Sequence, residues 1–176
     1  MRTLTYLPAS IHEHYLKHWH NFVGAIKFER GPIEDLPDEF RVLRFAPSAD
    51  RRMWTYATQC MSQPDDDSRL EVHLFAADEH KDLIELLAVA AHYHRTCARL
   101  DLGHTVNFGR PWLPDSACDH GLISRPYLDG PGLEWLTVGG SKTRFQWLIP
   151  VTKREVNICP RTQLRGIGIT ISKGPI

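Results

Sequence analysis

The chain has 176 residues, of which 21 are basic and 21 acidic, so its formal net charge at pH 7 is zero. A hydrophobic content of 42% and a charged content of 24% are ordinary for a globular protein with one substantial core. The balanced charge lacks the basic excess expected of a nucleic-acid-binding protein, and no apolar run is long enough for a membrane-spanning helix.

The N-terminal segment and the cysteines predict a cytoplasmic protein. MRTLTYLPASIHEHYLKHWH contains four histidines and lacks the continuous apolar segment that a signal peptide needs. The cysteines are scattered without CxxC spacing, which is typical of reduced thiols rather than of a disulfide framework: Cys60, Cys97, Cys118 and Cys159. These features leave the oligomeric state open.

The first predicted element is an amphipathic helix from Ser10 to Ile26. Ser10 and Glu13 have the spacing of a capping box. Apolar residues recur at helical spacing along this segment: Ile11, Tyr15, Trp19, Phe22 and Ile26. His14 and His18 are four residues apart, as a metal-binding pair on one helix face would be. Because no third ligand is evident, we favour a solvated histidine face.

Three strands are predicted next, in EFRVLRFAP, MWTYATQCMS and RLEVHLFAA. Each combines alternation with β-branched or aromatic residues, and short turns between them favour antiparallel neighbours. In the third strand one face is predicted to carry Leu70, Val72, Leu74 and Ala76, and the other Glu71, His73 and Phe75. The Asp65-Asp66-Asp67 run lacks the spacing of a calcium loop and predicts an exposed turn.

The segment from Leu83 to Tyr127 organises the rest of the chain. Its first part, LIELLAVAAHYHRTCARL, has apolar residues at a period near 3.6 and predicts a helix that opens at Asp78 or Glu79 and covers a sheet face. Its second part, DLGHTVNFGRPWLPDSACDHGLISRPY, contains a long loop rich in His, Trp, Phe, Cys and Pro. Loops of this length are usually functional or disordered, and this one is too apolar to be disordered.

Two further strands are predicted in HGLISRPYL and SKTRFQWLIPV, with turns at 129–132 and at Gly139-Gly140. Thr152 and Glu155 then have the spacing of a capping box, but the helical pattern does not continue into NICPRTQLRGIGITISKGPI. The sequence therefore predicts a single α+β domain over residues 1–156, in which helices pack on a mixed, mainly antiparallel sheet, and an atypical tail over 157–176.

The loop is compatible with three kinds of site. A zinc site has suitable residue types, without finger-like spacing, in His92, His94, Cys97, His104, Cys118 and His120. A hydrolase would combine a nucleophile with an acid and a histidine: Cys118 or Ser116 with Asp119 and His120. The alternatives with a purely structural role are buried or capping histidines and turn contacts made by Ser and Asp side chains.

A protein-recognition surface is the third possibility, because rigid aromatic residues and arginine are enriched at binding hot spots. The loop supplies Phe108, Arg110, Trp112 and Leu113, and Tyr93 and Tyr127 could lie nearby. Prolines at 111 and 114 would stiffen the loop and reduce the entropy lost on binding. An equally weighted and compatible alternative is that Phe108 and Trp112 plug the edge of the core beneath the loop.

The succession of these segments resembles the suppressor-of-fused domain in its compact bacterial form. The resemblance covers residues 38–156, and its most specific part is the loop LGHTVNFGRPWLPDSACDHGLISRPYL. It is also carried by FRVLRFAPSADRRMWTYATQCMS, RLEVHLFAA, LIELLAVAAHYH and FQWLIPVTKREV. The resemblance implies an α/β fold, with helices packed on a mixed or antiparallel sheet, and no enzymatic activity.

The same resemblance implies protein binding. Eukaryotic members bind and restrain a zinc-finger transcription factor, and bacterial members have been proposed as immunity proteins that neutralise secreted toxins. Tyr93 matches a tyrosine of the eukaryotic domain. Leu102-Gly103-His104 keeps the histidine of a Gly-Asp-His sequence there, but lacks its acidic residue.

We therefore predict a non-enzymatic immunity or inhibitor protein that sequesters a toxin or a regulatory protein. We predict no cofactor, metal, nucleic acid or membrane partner. The alternative is an unrecognised hydrolase or zinc-dependent enzyme that uses the His104–His120 loop. The candidate partner-binding residues are Tyr93, His104, Phe108, Arg110, Trp112, Asp119 and His120.

Overall fold

Eight strands and four helices occur in residues 6–29 and 35–158, the residues that the computed structural model describes. The strands are β1 Phe22–Ile26, β2 Arg41–Phe45, β3 Trp54–Gln59, β4 Arg69–Ala76, β5 Thr105–Asn107, β6 His120–Ser124, β7 Trp135–Val138 and β8 Ser141–Val151. The helices are α1 Tyr6–Leu16, α2 Lys81–Thr96, α3 Pro131–Glu134 and α4 Lys153–Ile158. None of these helices is long and apolar enough to cross a membrane.

All the strands belong to one sheet with the order β1-β2-β3-β4-β8-β6-β5, and β7 pairs with the start of β8. Neighbouring strands are antiparallel except β4 and β8, which run parallel from Arg69 opposite Thr143 to His73 opposite Trp147. The chain between these two strands contains α2 and makes the crossover that a parallel pair requires. The predicted single α+β domain with a mixed, mainly antiparallel sheet is confirmed.

Helices cover both faces of the sheet. On one face, α2 packs against the inner strands through Leu83, Leu86, Leu87, Ala90 and Ala91. On the other face, α1 contributes Ile11 and Tyr15, which join Phe45 and Phe145 in a second core. Because both faces are covered, β4 is buried on both sides, with the division of its residues between the faces that the alternation predicted.

The predicted helix over Ser10–Ile26 is wrong at both ends. Since α1 begins at Tyr6, Ser10 lies inside it and does not cap it. The helix ends at Leu16, and Asn21 has a left-handed backbone (φ 59°) that no right-handed helix contains. The aromatic and β-branched residues that follow suit an edge strand, and β1 pairs with β2.

The prediction that His14 belongs to a solvated histidine face is also wrong. This residue is buried against the second core, and its Nε2–H donates a hydrogen bond to the Leu133 carbonyl at 2.9 Å. Burial lowers the pKa of His14 and keeps the ring neutral. His14 therefore attaches α1 to α3.

The exposed turn predicted at Asp65-Asp66-Asp67 is only partly confirmed. Asp65 and Asp67 are exposed, but the Asp66 carboxylate forms ion pairs with Arg95 and Arg99 near the end of α2. These contacts attach the connection between β3 and β4 to the helix.

The elements β5, β7 and α3 were not predicted. The strands have only three and four residues, which is too short for a clear periodicity. The Gly139-Gly140 turn between β7 and β8 is confirmed, with φ values of 57° and 81° that suit a two-residue hairpin.

The capping box at the start of α4 is confirmed. Glu155 N–H donates to Thr152 Oγ1 at 3.3 Å, and Thr152 N–H donates to Glu155 Oε2 at 2.7 Å. The helix is six residues long. The predicted tail lies outside the described residues from position 159 onwards.

Glu71 in β4 places a fully buried carboxyl group on the α1 side of the sheet. Its oxygens accept hydrogen bonds from the Thr58 hydroxyl at 2.6 Å and from Met61 N–H at 3.0 Å. Cys60, which directly follows β3, has a left-handed φ of 62° and turns the chain around the Glu71 carboxyl group. Burial outweighs the hydrogen bonds and raises the pKa of Glu71 to about 7.

We expect the substitution Glu71→Gln to remove a pH dependence of stability. A raised pKa means that the stabilising contribution is complete below about pH 4.5 and is lost as the pH rises through 7. Urea unfolding from pH 4.5 to 8 should show the free energy of unfolding of the variant rising relative to wild type by up to about 3 kcal/mol. A difference that stays constant across this range would contradict the assignment.

Candidate functional site

The long loop begins with a strand rather than with irregular chain. Residues Thr105 to Asn107 form β5 and pair with β6. β5 is the last strand in the sheet order, so within the described residues its outer edge has no neighbouring strand. This edge is the geometric centre of the candidate site.

The hydrogen-bond ladder determines which backbone groups of β5 point outward. The His104 carbonyl accepts a hydrogen bond from β6 at 2.9 Å, and Phe108 N–H donates to the carbonyl that precedes β6 at 3.0 Å. Since residues of an antiparallel strand alternate in direction, Thr105 and Asn107 turn their N–H and C=O groups to the outer edge. No described backbone group hydrogen-bonds to them there, but only Asn107 is exposed, since Thr105 has an exposed fraction of 6%.

Phe108 and Trp112 are buried, with exposed fractions of 7% and 3%. Their rings form an edge-to-face pair with centroids 5.6 Å apart, and the Trp112 indole N–H donates to the His120 carbonyl at 2.8 Å. Gly121 makes this packing possible, because a Cβ there would lie 2.7 Å from Leu148 Cδ1 and 3.0 Å from the Phe108 ring. Both aromatic side chains therefore belong to the α2-side core beneath the loop.

Tyr93 and His120 are buried as well. Tyr93 lies in the same core as Trp112, and burial raises the pKa of its hydroxyl. His120 Nδ1–H donates to the Asp119 carboxylate at 2.6 Å. The candidates Tyr93, Phe108, Trp112 and His120 thus support β5 and β6 from inside.

His104, Arg110 and Asp119 are the candidates that reach solvent. His104 Nδ1 accepts the Asp101 N–H at 3.1 Å, which leaves Nε2 of the ring to carry the proton of the neutral form. Arg110 forms an exposed ion pair with Glu85 of α2 at 3.0 Å. Polar and charged side chains therefore flank both ends of β5.

His94 holds the chain just before this site. The Leu100 N–H donates to His94 Nδ1 at 2.9 Å, and Nε2 lies 3.5 Å from the Ser62 hydroxyl. Burial lowers the pKa of His94 to about 4, so the ring is neutral at pH 7. The sequence left His94 open between a zinc ligand and a buried or capping histidine, and the structure shows a buried one, whose contact with Leu100 becomes visible only in the folded chain.

The chemistry of the loop is that of a turn. Ser116 Oγ accepts the Cys118 N–H at 3.1 Å, as a serine in a turn does. Across residues 6–29 and 35–158, no three His, Cys, Asp or Glu side chains are grouped so that they could hold a metal ion. The six zinc candidates of the loop and helix do not form such a group.

Comparison with known proteins now adds to this geometry. The family model of the suppressor of fused protein (SUFU) matches residues 37–167. The crystal structure of a SUFU homologue from Neisseria gonorrhoeae is 30% identical, with a TM-score of 0.76, over 90% of this chain and 84% of that one. Comparison with curated proteins gives no match.

A second solved structure, a Sufu–Fu complex, is 14% identical with a TM-score of 0.63, over 90% of this chain and 79% of that one. At this identity the likeness shows the fold alone. The chain belongs to the suppressor-of-fused family, as the loop motif predicted. This family is known for protein interaction and not as an enzyme family.

We expect the substitution Trp112→Ala to lower the free energy of unfolding by about 3 to 5 kcal/mol, because it leaves a cavity beside Phe108 and an unpaired His120 carbonyl. The matched control is Trp135→Ala, where the side chain is 48% exposed and the expected loss is below about 1.5 kcal/mol. Urea denaturation of the three proteins measures both. Equal losses would show that Trp112 does not support the loop.

Proposed function

We propose that this chain binds a protein partner by accepting a strand of that partner at the outer edge of β5. The observation that carries the proposal is the outward-facing backbone of β5 at Thr105 and Asn107, of which Asn107 is exposed. Edge strands of this kind pair readily with an added strand, and the main-chain hydrogen bonds supply affinity.

His104, Arg110 and Asp119 would give the edge its selectivity. They are the partly exposed candidates next to β5, and they offer an imidazole, a guanidinium and a carboxylate. The exposed Arg110–Glu85 ion pair is worth little in the free protein. Both side chains can therefore exchange this contact for charges on a partner at small cost.

Tyr93, Phe108, Trp112 and His120 have an indirect role in this proposal. Because they are buried, they hold β5 and β6 in place, and a partner strand would meet a preformed edge. The structure of a Sufu–Fu complex supports protein binding as the activity of this fold.

The finer role that we propose is that of a cytoplasmic immunity or inhibitor protein that sequesters a toxin. Its support is the resemblance of the loop motif to bacterial members of the family. Co-expression tests the role directly, since the captured partner should be toxic alone and harmless beside this chain.

The substitution Asn107→Pro tests the edge. Proline removes the outward N–H and its ring would obstruct an added strand, yet no hydrogen bond to β6 is lost. The variant Asn107→Asp is the matched control, because it keeps this N–H and the side-chain oxygen that accepts the Gly109 N–H at 2.8 Å.

We expect the wild-type protein and Asn107→Asp to capture the same partner from the native organism, and Asn107→Pro to lose at least about 90% of it. Quantitative mass spectrometry of the captured protein measures this, and circular dichroism checks that each bait is folded. Equal capture by Asn107→Pro would exclude strand addition at β5.

A further inference from the structure

A cavity on the α1 side of the sheet lies far from β5. It is formed by the chain that leaves α1 and by the connection between β2 and β3. Its volume is about 110 Å³, and its walls include His18, Trp19, His20, Phe45, Arg51 and Thr55. This space suits a ligand of a few heavy atoms, since pockets for drug-sized molecules measure about 300 to 1,000 Å³.

Arg51 is held rigidly in the wall of this cavity. Its guanidinium forms an ion pair with Asp129, whose side chain is 2% exposed, and it lies 4.5 Å from the centroid of the Phe75 ring. Trp19 Nε1–H donates to the same Asp129 oxygen at 2.7 Å, which fixes the carboxylate. The Arg51 side chain is still 19% exposed and lines the cavity.

The polar centre behind Arg51 is not fully satisfied by the protein. Asp129 Oδ2 and both ring nitrogens of His73 are buried without a hydrogen-bond partner in the described residues. His73 Nε2 and Asp129 Oδ2 are 3.9 Å apart, too far for a direct hydrogen bond. His73 and Asp129 are not among the residues that line the cavity, and the unpaired Asp129 oxygen needs a hydrogen-bond donor, so the anion would have to be held by Arg51 in front of them.

We propose that this cavity binds a small anion, a carboxylate or a phosphate, through the Arg51 guanidinium. A guanidinium offers two parallel N–H groups that match the oxygens of either anion. Asp129 uses one side of the fork and orients the rest. His18 and His20 add hydrogen-bond donors on the same wall, whereas Asp50, the acidic residue among the lining side chains, is exposed to solvent.

The site is independent of the proposed protein-binding edge. β1 and β2 lie at one end of the sheet order and β5 lies at the other. Failure of either proposal therefore leaves the other untouched.

The experiment is an NMR titration of the full chain with acetate and, separately, with inorganic phosphate, against chloride at equal ionic strength. The reporter is the Trp19 indole N–H resonance, because this group donates to the carboxylate that holds Arg51. We expect a saturable shift with a dissociation constant on the order of 1 mM for at least one anion. The stronger of the two shows whether the site prefers a carboxylate or a phosphate.

Two variants and one control complete the test. Arg51→Lys keeps the charge beside Asp129 but loses the fork, and it should weaken binding about tenfold. Ala46→Leu, on the cavity wall, should block binding by filling part of the space while Arg51 is retained. The control variant Arg52→Lys changes an exposed neighbour of Arg51 and should leave anion binding unaltered. The proposal is overturned if neither anion gives a saturable shift up to 100 mM, which is about a hundred times the expected dissociation constant. It is also overturned if Ala46→Leu binds the anion as wild type does.

Discussion

The parallel pairing of β4 with β8 is the contact on which the rest of the structure depends. It joins two units that are each antiparallel, the meander β1 to β4 and the group formed by β5 to β8. β8 is the longest strand, and it pairs with β4 on one side and with β6 and β7 on the other. A parallel pair gains its stability mainly from burial on both faces, and α1 and α2 provide that burial here.

The position of the candidate site follows from this arrangement. Because β8 takes the central place, β6 and then β5 follow outward, and β5, with three residues, is the last strand of the sheet order. Phe108 and Trp112 of the loop after β5 are inserted into the core. Asn107 is exposed whereas Thr105 is only 6% exposed, so Asn107 is the residue of this edge at which a partner strand has access.

Burial and exposure are divided sharply across the loop. Aromatic side chains point into the core, and charged side chains remain at the surface on either side of β5. A surface of this kind presents backbone hydrogen-bonding groups and charged side chains that can change partners, rather than an exposed hydrophobic patch. It suits recognition by strand addition, in which the partner's own side chains supply much of the specificity.

Part of this picture was predictable from the sequence. Strong periodicities predict most of the sheet and its main helix, namely β2, β3, β4, β6, β8 and α2. The loop motif in the sequence is sufficient to indicate the family. The end of α1 was not predictable, because Phe22 and Ile26 continue a helical spacing while the left-handed Asn21 interrupts the helix. Periodicity measures which side chains share a face, and it does not detect a change of backbone conformation.

The candidate site was harder to predict than the fold. Aromatic residues in a loop can bind a partner or fill a core, and composition does not separate these two outcomes. Phe108 and Trp112 are core residues. Phe108 fits because Gly121, thirteen positions along the chain, has no side chain to obstruct its ring, and composition does not reveal such a contact. A three-residue edge strand such as β5 has no sequence signal of its own, since its existence depends on β6 as a partner.

Hydrogen exchange of individual backbone amides tests the central claim most directly. If the outer edge of β5 is open in the free protein, the Thr105 and Asn107 amides should exchange at least about 100-fold faster than those of Val106 and Phe108, which point toward β6. NMR measures all four rates in one sample. Equal protection of the four amides would show that another part of the chain, or a second copy of it, already covers this edge.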